Sequence, residues 1–158
     1  MDFQLVSELI LLLMIANGAP VIASRLFGQW FAHPLDVNIR LRDKRRLLGP
    51  AKTIRGLASA TLACTLLAPL FGITPAHGAS FGLLAMCGDV LSSFLKRRLG
   101  IPPSHSAPLL DQLPEALLPL WVMNPVLGAT TAESCIALFI FLIINLVISR
   151  LRDRLQLQ

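Results

Sequence analysis

Five apolar segments, each about as long as a bilayer is thick, leave this chain few ways to fold. They run Leu5 to Ala23, Leu57 to Ile73, Ala79 to Leu95, Leu113 to Ala129 and Ala132 to Ser149. Each has roughly 17 to 19 residues, near the lower end of what a helix needs to cross hydrocarbon. In lipid every backbone N–H and C=O must be satisfied inside the segment, so helices are predicted throughout. Pro20, Pro69, Pro114, Pro119 and Pro125 are predicted to kink or end them, because proline lacks a backbone donor. The 158 residues are 54% hydrophobic and 15% charged, against about 45–50% and 25% in soluble domains. The predicted fold is all-α: one polytopic membrane domain over residues 1–158 with five transmembrane helices. Residues 1–23 begin with Asp2 and Glu8 and lack a basic leader, so the first segment is expected to remain in the mature chain.

The cations predict the topology. Of 14 Lys and Arg, eight lie between Arg25 and Arg55, three are Lys96, Arg97 and Arg98, and three are Arg150, Arg152 and Arg154. Five spans put all three places on one side, and the positive-inside tendency makes that side cytoplasmic. The N-terminus is then outside and the C-terminus cytoplasmic, with basic cytoplasmic loops at 24–56 and 96–112. Asn17, Gly18 and Pro20, then Asp89, then Asp111 and Glu115 fall near the cytoplasmic ends of spans 1, 3 and 4, while Glu8 falls near the outer face. The net charge of +5 is read first as loop topology and second as an anionic ligand; nucleic acid is not the expected partner. Cys64, Cys87 and Cys135 sit in three different segments and are read as free thiols, not as a metal knuckle or a disulfide framework. Leu26, Phe27, Trp30 and Phe31 mix with polar residues after the first span, as in a segment lying in the membrane interface.

Asp89 is the costliest residue in the sequence. It lies seven residues before Lys96, roughly 10 Å inside the charged boundary at the helical rise. An ionised Asp there needs a partner, a metal or a wet cavity. Asp89, Ser92, Ser93 and Lys96 share one helical face. Asp89 and Asp111 at one depth could hold Mg²⁺, a hard cation that takes carboxylate and phosphate oxygens. The plain alternative pairs each Asp with Arg97 or Arg98. Glu115, one turn beyond Asp111, is a spare ligand or a pairing partner. LGPAKTIRG, Leu48 to Gly56, offers Lys52, Thr53 and Arg55 to phosphate oxygens, or else anchors lipid head groups. It is not a Walker A loop. Asn17 is read as a ligand contact or as helix-packing glue. His33, His77 and His105 are too scattered for a His site.

GDVLSSFLKRR, Gly88 to Arg98, followed by Gly100-Ile101 and PLLDQ, resembles the cytidylyltransferase signature of CDP-diacylglycerol synthases, and more closely the CDP-archaeol synthase family. Asn17 to Pro20, Pro34 to Asp36 and Leu48 to Gly56 match further elements of that family in order. The resemblance implies Mg²⁺-dependent transfer of a cytidylyl group from CTP to a membrane lipid phosphate, diacyl or ether-linked, at the cytoplasmic membrane. It implies Asp89 and Asp111 as metal-binding acids, with Lys96 acting beside them at the reacting phosphates. Lys52, Thr53, Arg55, Ser93 and Arg97 are implied at the nucleotide and its phosphates. Asn17, Pro20, Asp36, Gly88 and Gln112 are motif positions without assigned roles. The chain departs from the broader signature in SHSAPLLDQ, where Gln112 stands in place of Arg and Ser104, His105 and Ser106 replace a Gly-rich run. An inactive relative and a non-enzymatic carrier of anionic lipids are the alternatives.

Overall fold

The computed structural model describes residues 1–43, 45–102 and 107–156. They form five helices: α1 (Phe3–Phe27), α2 (Ile54–Leu67) with a 3-10 turn at Ala68–Phe71, α3 (Pro75–Arg98), α4 (Pro108–Leu127) and α5 (Thr131–Gln156). Each overlaps one of the predicted segments, with the second and fourth ending two residues early at Phe71 and Leu127. Four stretches are long and apolar enough to cross a membrane: Phe3–Phe27, Ile54–Phe71, Pro75–Arg98 and Thr131–Leu151. The fourth predicted span, α4, is helical but is not one of them. Asp111, Gln112, Glu115, Asn124 and its prolines dilute the apolar run.

The ends follow local chemistry. Asp2 caps α1, accepting from the amides of Gln4 and Leu5, and Thr53 caps α2 by accepting from Gly56 N. Thr74 caps α3, with Pro75 in its first turn. Pro69 converts the end of α2 to the 3-10 turn, which Gly72 closes at φ 69°. The other prolines end nothing: α1 runs past Pro20, and α4 runs past Pro114, Pro119 and Pro125. In a membrane bundle, neighbouring groups can satisfy the carbonyls that such prolines free.

Consecutive helices pack side by side, and α5 returns to α1, so the five close into a ring with α1 also touching α3 across it. One end of the ring is filled with apolar side chains. Val6, Leu9, Leu12 and Leu13 of α1 meet Phe81 of α3, Ala116, Leu120 and Met123 of α4, and Ala137 and Phe141 of α5. At that end Glu133 ties α5 to the start of α1 by accepting from Asp2 N (2.5 Å) while also capping Thr130. Toward the other end four of the helices, all but α2, change character within about a turn. Ala16 gives way to Asn17, Ala85 to Asp89, Ala116 to Glu115 and Phe141 to Asn145, which turns the core into a polar cavity.

Small residues on α3 set the helix spacing. A Cβ on Gly78 or Gly82 would press on the backbone of α2 at Cys64 and Ala60, and one on Gly88 would overlap the carbonyl of Pro114 in α4. Gly88 therefore governs how closely Asp89 approaches α4. We expect Gly88→Val to destabilise the protein by about 1–3 kcal/mol through overpacking, read as a lower thermal midpoint in detergent. An unchanged midpoint would mean that α3 and α4 are free to separate there.

Candidate functional site

The connector between α1 and α2 builds one wall of the cavity, and a single carboxylate organises it. Asp36 is 2% exposed. Its oxygens accept from Asn38 N (3.1 Å), Leu48 N (3.2 Å) and Gly49 N (3.1 Å), and from Arg46 Nη2 (2.7 Å) and Nε (3.3 Å). The Arg46 guanidinium, helped by the three amides, holds this carboxyl well below the usual carboxylate range. The chain then turns through Gly49 at φ 117°, a conformation that favours glycine. Lys52 follows, fixed by Leu35 N to Lys52 O (2.8 Å) and, two residues on, Ile54 N to His33 O (3.0 Å). Asp36, a motif position without a predicted role, thus shapes the loop that presents Lys52.

The cavity has a volume of about 390 Å³. The loop contributes Leu48 to Lys52, α1 Asn17, α3 Asp89, Ser93, Lys96 and Arg97, α4 Asp111, Gln112 and Glu115, and α5 Asn145, Ile148 and Ser149. Lys52 Nζ lies 2.5 Å from Asp89, and Lys96 Nζ lies 2.8 Å from Asp111. Asp111 also accepts from Ala107 N (3.1 Å). Glu115 is 6% exposed between them. The ion-pair alternative is therefore realised with different partners: lysines, rather than Arg97 or Arg98, hold the two aspartates. Arg98 instead reaches Asp43 (2.7 Å) and lies over the Phe94 ring.

The predicted residues separate into three groups. Asp89, Asp111, Lys52, Lys96, Ser93, Arg97, Asn17 and Gln112 line the cavity. Pro20 and Thr53 line a small adjoining pocket that shares Lys52 and Asp89 with it. Arg55 faces neither, because its Nη1 donates to the carbonyls of Gly28 (2.7 Å) and Trp30 (2.8 Å). It secures the stretch carrying the exposed Trp30 and Phe31. Ser92 also departs from the predicted stripe, donating back to Asp89 O (2.8 Å). Ser104, His105 and Ser106 lie outside the described residues. Among the described residues no three His, Cys, Asp or Glu side chains cluster as a metal site. Mg²⁺ takes only one or two carboxylates when phosphates and water complete its shell, and the hard-oxygen donors on this wall are Asp89, Asp111 and Glu115.

Sequence reading missed the α5 wall. Asn145 accepts from Asn17 Nδ2 (3.4 Å) and donates to Phe141 O (3.1 Å). Its signal was present: an Asn four residues before Ser149 in an otherwise apolar segment puts two polar groups on one face.

Comparison with known proteins places these features in company. A profile of the CarS-like CDP-archaeol synthases matches residues 76–158. A CDP-archaeol synthase of Hyperthermus butylicus is 39% identical over 150 residues, covering 87% of this chain and 85% of that protein. The CDP-archaeol synthase of Aeropyrum pernix is 44% identical over 106 residues, but the match spans only 58% of that protein's length and 63% of this chain. A solved structure described as an intramembrane enzyme for archaeal membrane lipid biosynthesis superimposes with a TM-score of 0.73 at 37% identity, over 90% of both chains.

Two tests bear on the loop. Asp36→Ala should speed hydrogen exchange at the Leu48 and Gly49 amides by about tenfold or more, the loss of a charge-assisted bond; unchanged protection would remove Asp36 from this role. Because its folded pKa is depressed, its stabilisation is complete above the ordinary carboxylate pKa of about 4. It is lost as pH falls from there through the lower folded value. Exchange at those amides should therefore rise above its intrinsic pH trend only in that acid window, and a rise near neutrality would contradict the assignment.

Proposed function

The chain belongs to the CDP-archaeol synthase family, and from that premise we propose that it transfers the cytidylyl group of CTP to an archaeol-type lipid phosphate, releasing pyrophosphate. The observation that carries this reading is the convergence of Lys52, Asp89, Lys96, Arg97 and Asp111, from one loop and two helices, on one cavity at the basic end of the ring. A lipid phosphate is anionic near neutrality, so its oxygen attacks the α-phosphorus without a strong base. Catalysis then rests on position and on positive charge.

Charge accounting supports a divalent cation. The cavity wall carries three cationic and three carboxyl side chains, and Lys52 and Lys96 are already spent on Asp89 and Asp111. A polyphosphate entering alone would meet little net positive charge. Asp89 and Asp111 would hold a Mg²⁺ ion, which when bound screens phosphate oxygens and polarises the phosphorus they surround. The lysines, released from the aspartates, then turn to the phosphates as compact point charges. Arg97 and Ser93 offer further donors, and the carboxamides of Asn17, Gln112 and Asn145 give neutral contacts.

The orientation follows the charge rule, with the basic end cytoplasmic. There CTP arrives from water and the lipid from the inner leaflet of the cell membrane, in a multi-pass protein whose N-terminus faces out.

Purified protein incubated with CTP, Mg²⁺ and archaeol-type phosphate should yield CDP-lipid by mass detection. Asp89→Asn and Asp111→Asn should each lower that rate by about a hundredfold or more, the scale of losing a group that stabilises transition-state charge, with the thermal midpoint retained. Ordinary turnover in either variant would remove that carboxylate from the chemistry. Absence of CDP-lipid from the wild type across ether and diacyl acceptors would end the proposal.

A further inference from the structure

The connector leaves α1 by a tight apolar turn whose side chains the protein leaves uncovered. Gly28 closes the helix at φ 53°, and the amides of Trp30 and Ala32 then donate to Phe27 O (2.9 Å) and Gln29 O (3.3 Å). Trp30 is 75% exposed and Phe31 66%. Phe31 also sits at φ 57°, a left-handed conformation unfavourable for a bulky side chain. No burial within the chain offsets that strain, yet the turn is held firmly. Arg55 Nη1 donates to the carbonyls of Gly28 and Trp30. A cation in the first turn of a helix stands at the wrong end of its dipole, so this clamp accounts for an arginine at the start of α2.

The position of the turn identifies what covers it. It follows Phe3–Phe27 and is tied back to the start of Ile54–Phe71, both long and apolar enough to cross a membrane. The tie is Ile54 N donating to His33 O. The turn is thus held where these two helices leave hydrocarbon, the level at which Trp and other large apolar side chains settle. Leu26 and Phe27, exposed just before it, continue the apolar surface of α1 into the turn. Arg25 is exposed in the last turn of α1 without an ion pair among the described residues, which fits a layer of lipid phosphates. From there the backbone carries position inward. Residues 33–35 run antiparallel to 52–54 through His33 O, the Pro34–Thr53 bridge and Leu35 N to Lys52 O, and Lys52 pairs with Asp89. We propose that Trp30 and Phe31 anchor the connector in the head-group layer of the bilayer at the basic end of the ring, and that this contact fixes the depth of Lys52 in the cavity. Both are positioning residues, acting on the cavity from outside it. The inference holds whatever reaction the cavity performs.

The test uses full-length protein in lipid nanodiscs holding one copy each. Trp121→Phe leaves Trp30 as the only tryptophan. Bromine near the glycerol end of the acyl chains should then quench about half of the Trp30 emission, and bromine at the chain ends or iodide in the water much less, the profile of an interfacial aromatic belt. Strong quenching by iodide with little by bromine would leave the turn in water, or waiting for a second copy or another protein, and overturn the proposal. Strongest quenching from the chain ends would overturn it as well. The link to Lys52 is read by hydrogen exchange at the Leu35 and Ile54 amides. Trp30→Ser combined with Phe31→Ser should speed exchange there by about tenfold or more, the scale of losing the burial of two aromatic side chains. Trp30→Phe alone, which keeps an aromatic anchor, should stay within about twofold of wild type. Exchange in the middle of α3 should not change in either variant. Unchanged exchange at Leu35 and Ile54 in the serine variant would sever the anchor from Lys52 and overturn the proposal. So would an equal acceleration in α3, which would mean a general loss of packing.

Discussion

Two lysine–aspartate pairs, Lys52 with Asp89 and Lys96 with Asp111, let a ring of apolar helices carry charge inside one of its ends. Each lysine balances the charge of an aspartate that would otherwise stand unpaired among apolar helices, and water reaches both pairs. The pairs also tie unlike elements together. Lys52 belongs to a loop and Asp89 to α3, while Lys96 belongs to α3 and Asp111 to α4. Helix α3 thus supplies one member of each pair, and Gly88 lets it come close to α4 beside Asp89. Pairs only partly shielded from water remain exchangeable, so a stronger ligand can take over each partner.

Support for the pairs comes from farther out. Asp36 never enters the cavity, yet it fixes the turn that aims Lys52 inward. Arg55 pins the preceding stretch to the start of α2 through the carbonyls of Gly28 and Trp30. Arg45 and Arg98 bind the same connector to the end of α3. Many of the connector's cations therefore act on the protein's own carbonyls and carboxylates, and the long basic loop is architecture before it is a ligand site.

How much of this was legible in the sequence depends on whether the signal was periodic or relational. The five helices and the gathering of basic ends were readable, because hydrocarbon imposes helix length and charge imposes sidedness. Asp89 and Asp111 stood out because an acid near apolar surroundings needs a reason. Their lysine partners were not readable: i, i+7 spacing places Lys96 on the face of Asp89, but the α3–α4 crossing delivers it to Asp111. Arg55 looked like a phosphate ligand by type, and only the path of the loop turns it to carbonyls. Asn145 was passed over because one polar residue hardly alters the hydropathy of a segment. The prolines of α4 were expected to kink or end it, and the helix runs through all three to Leu127.

The proposed transfer requires Asp89 and Asp111 to serve one divalent ion. Mn²⁺ bound to the purified protein in the presence of CTP can be counted by electron paramagnetic resonance. Asp89→Asn and Asp111→Asn should each abolish the same protein-bound signal, and the double variant should remove no more. Full Mn²⁺ binding in either single variant, or losses that add in the double one, would show that the two carboxylates do not share an ion.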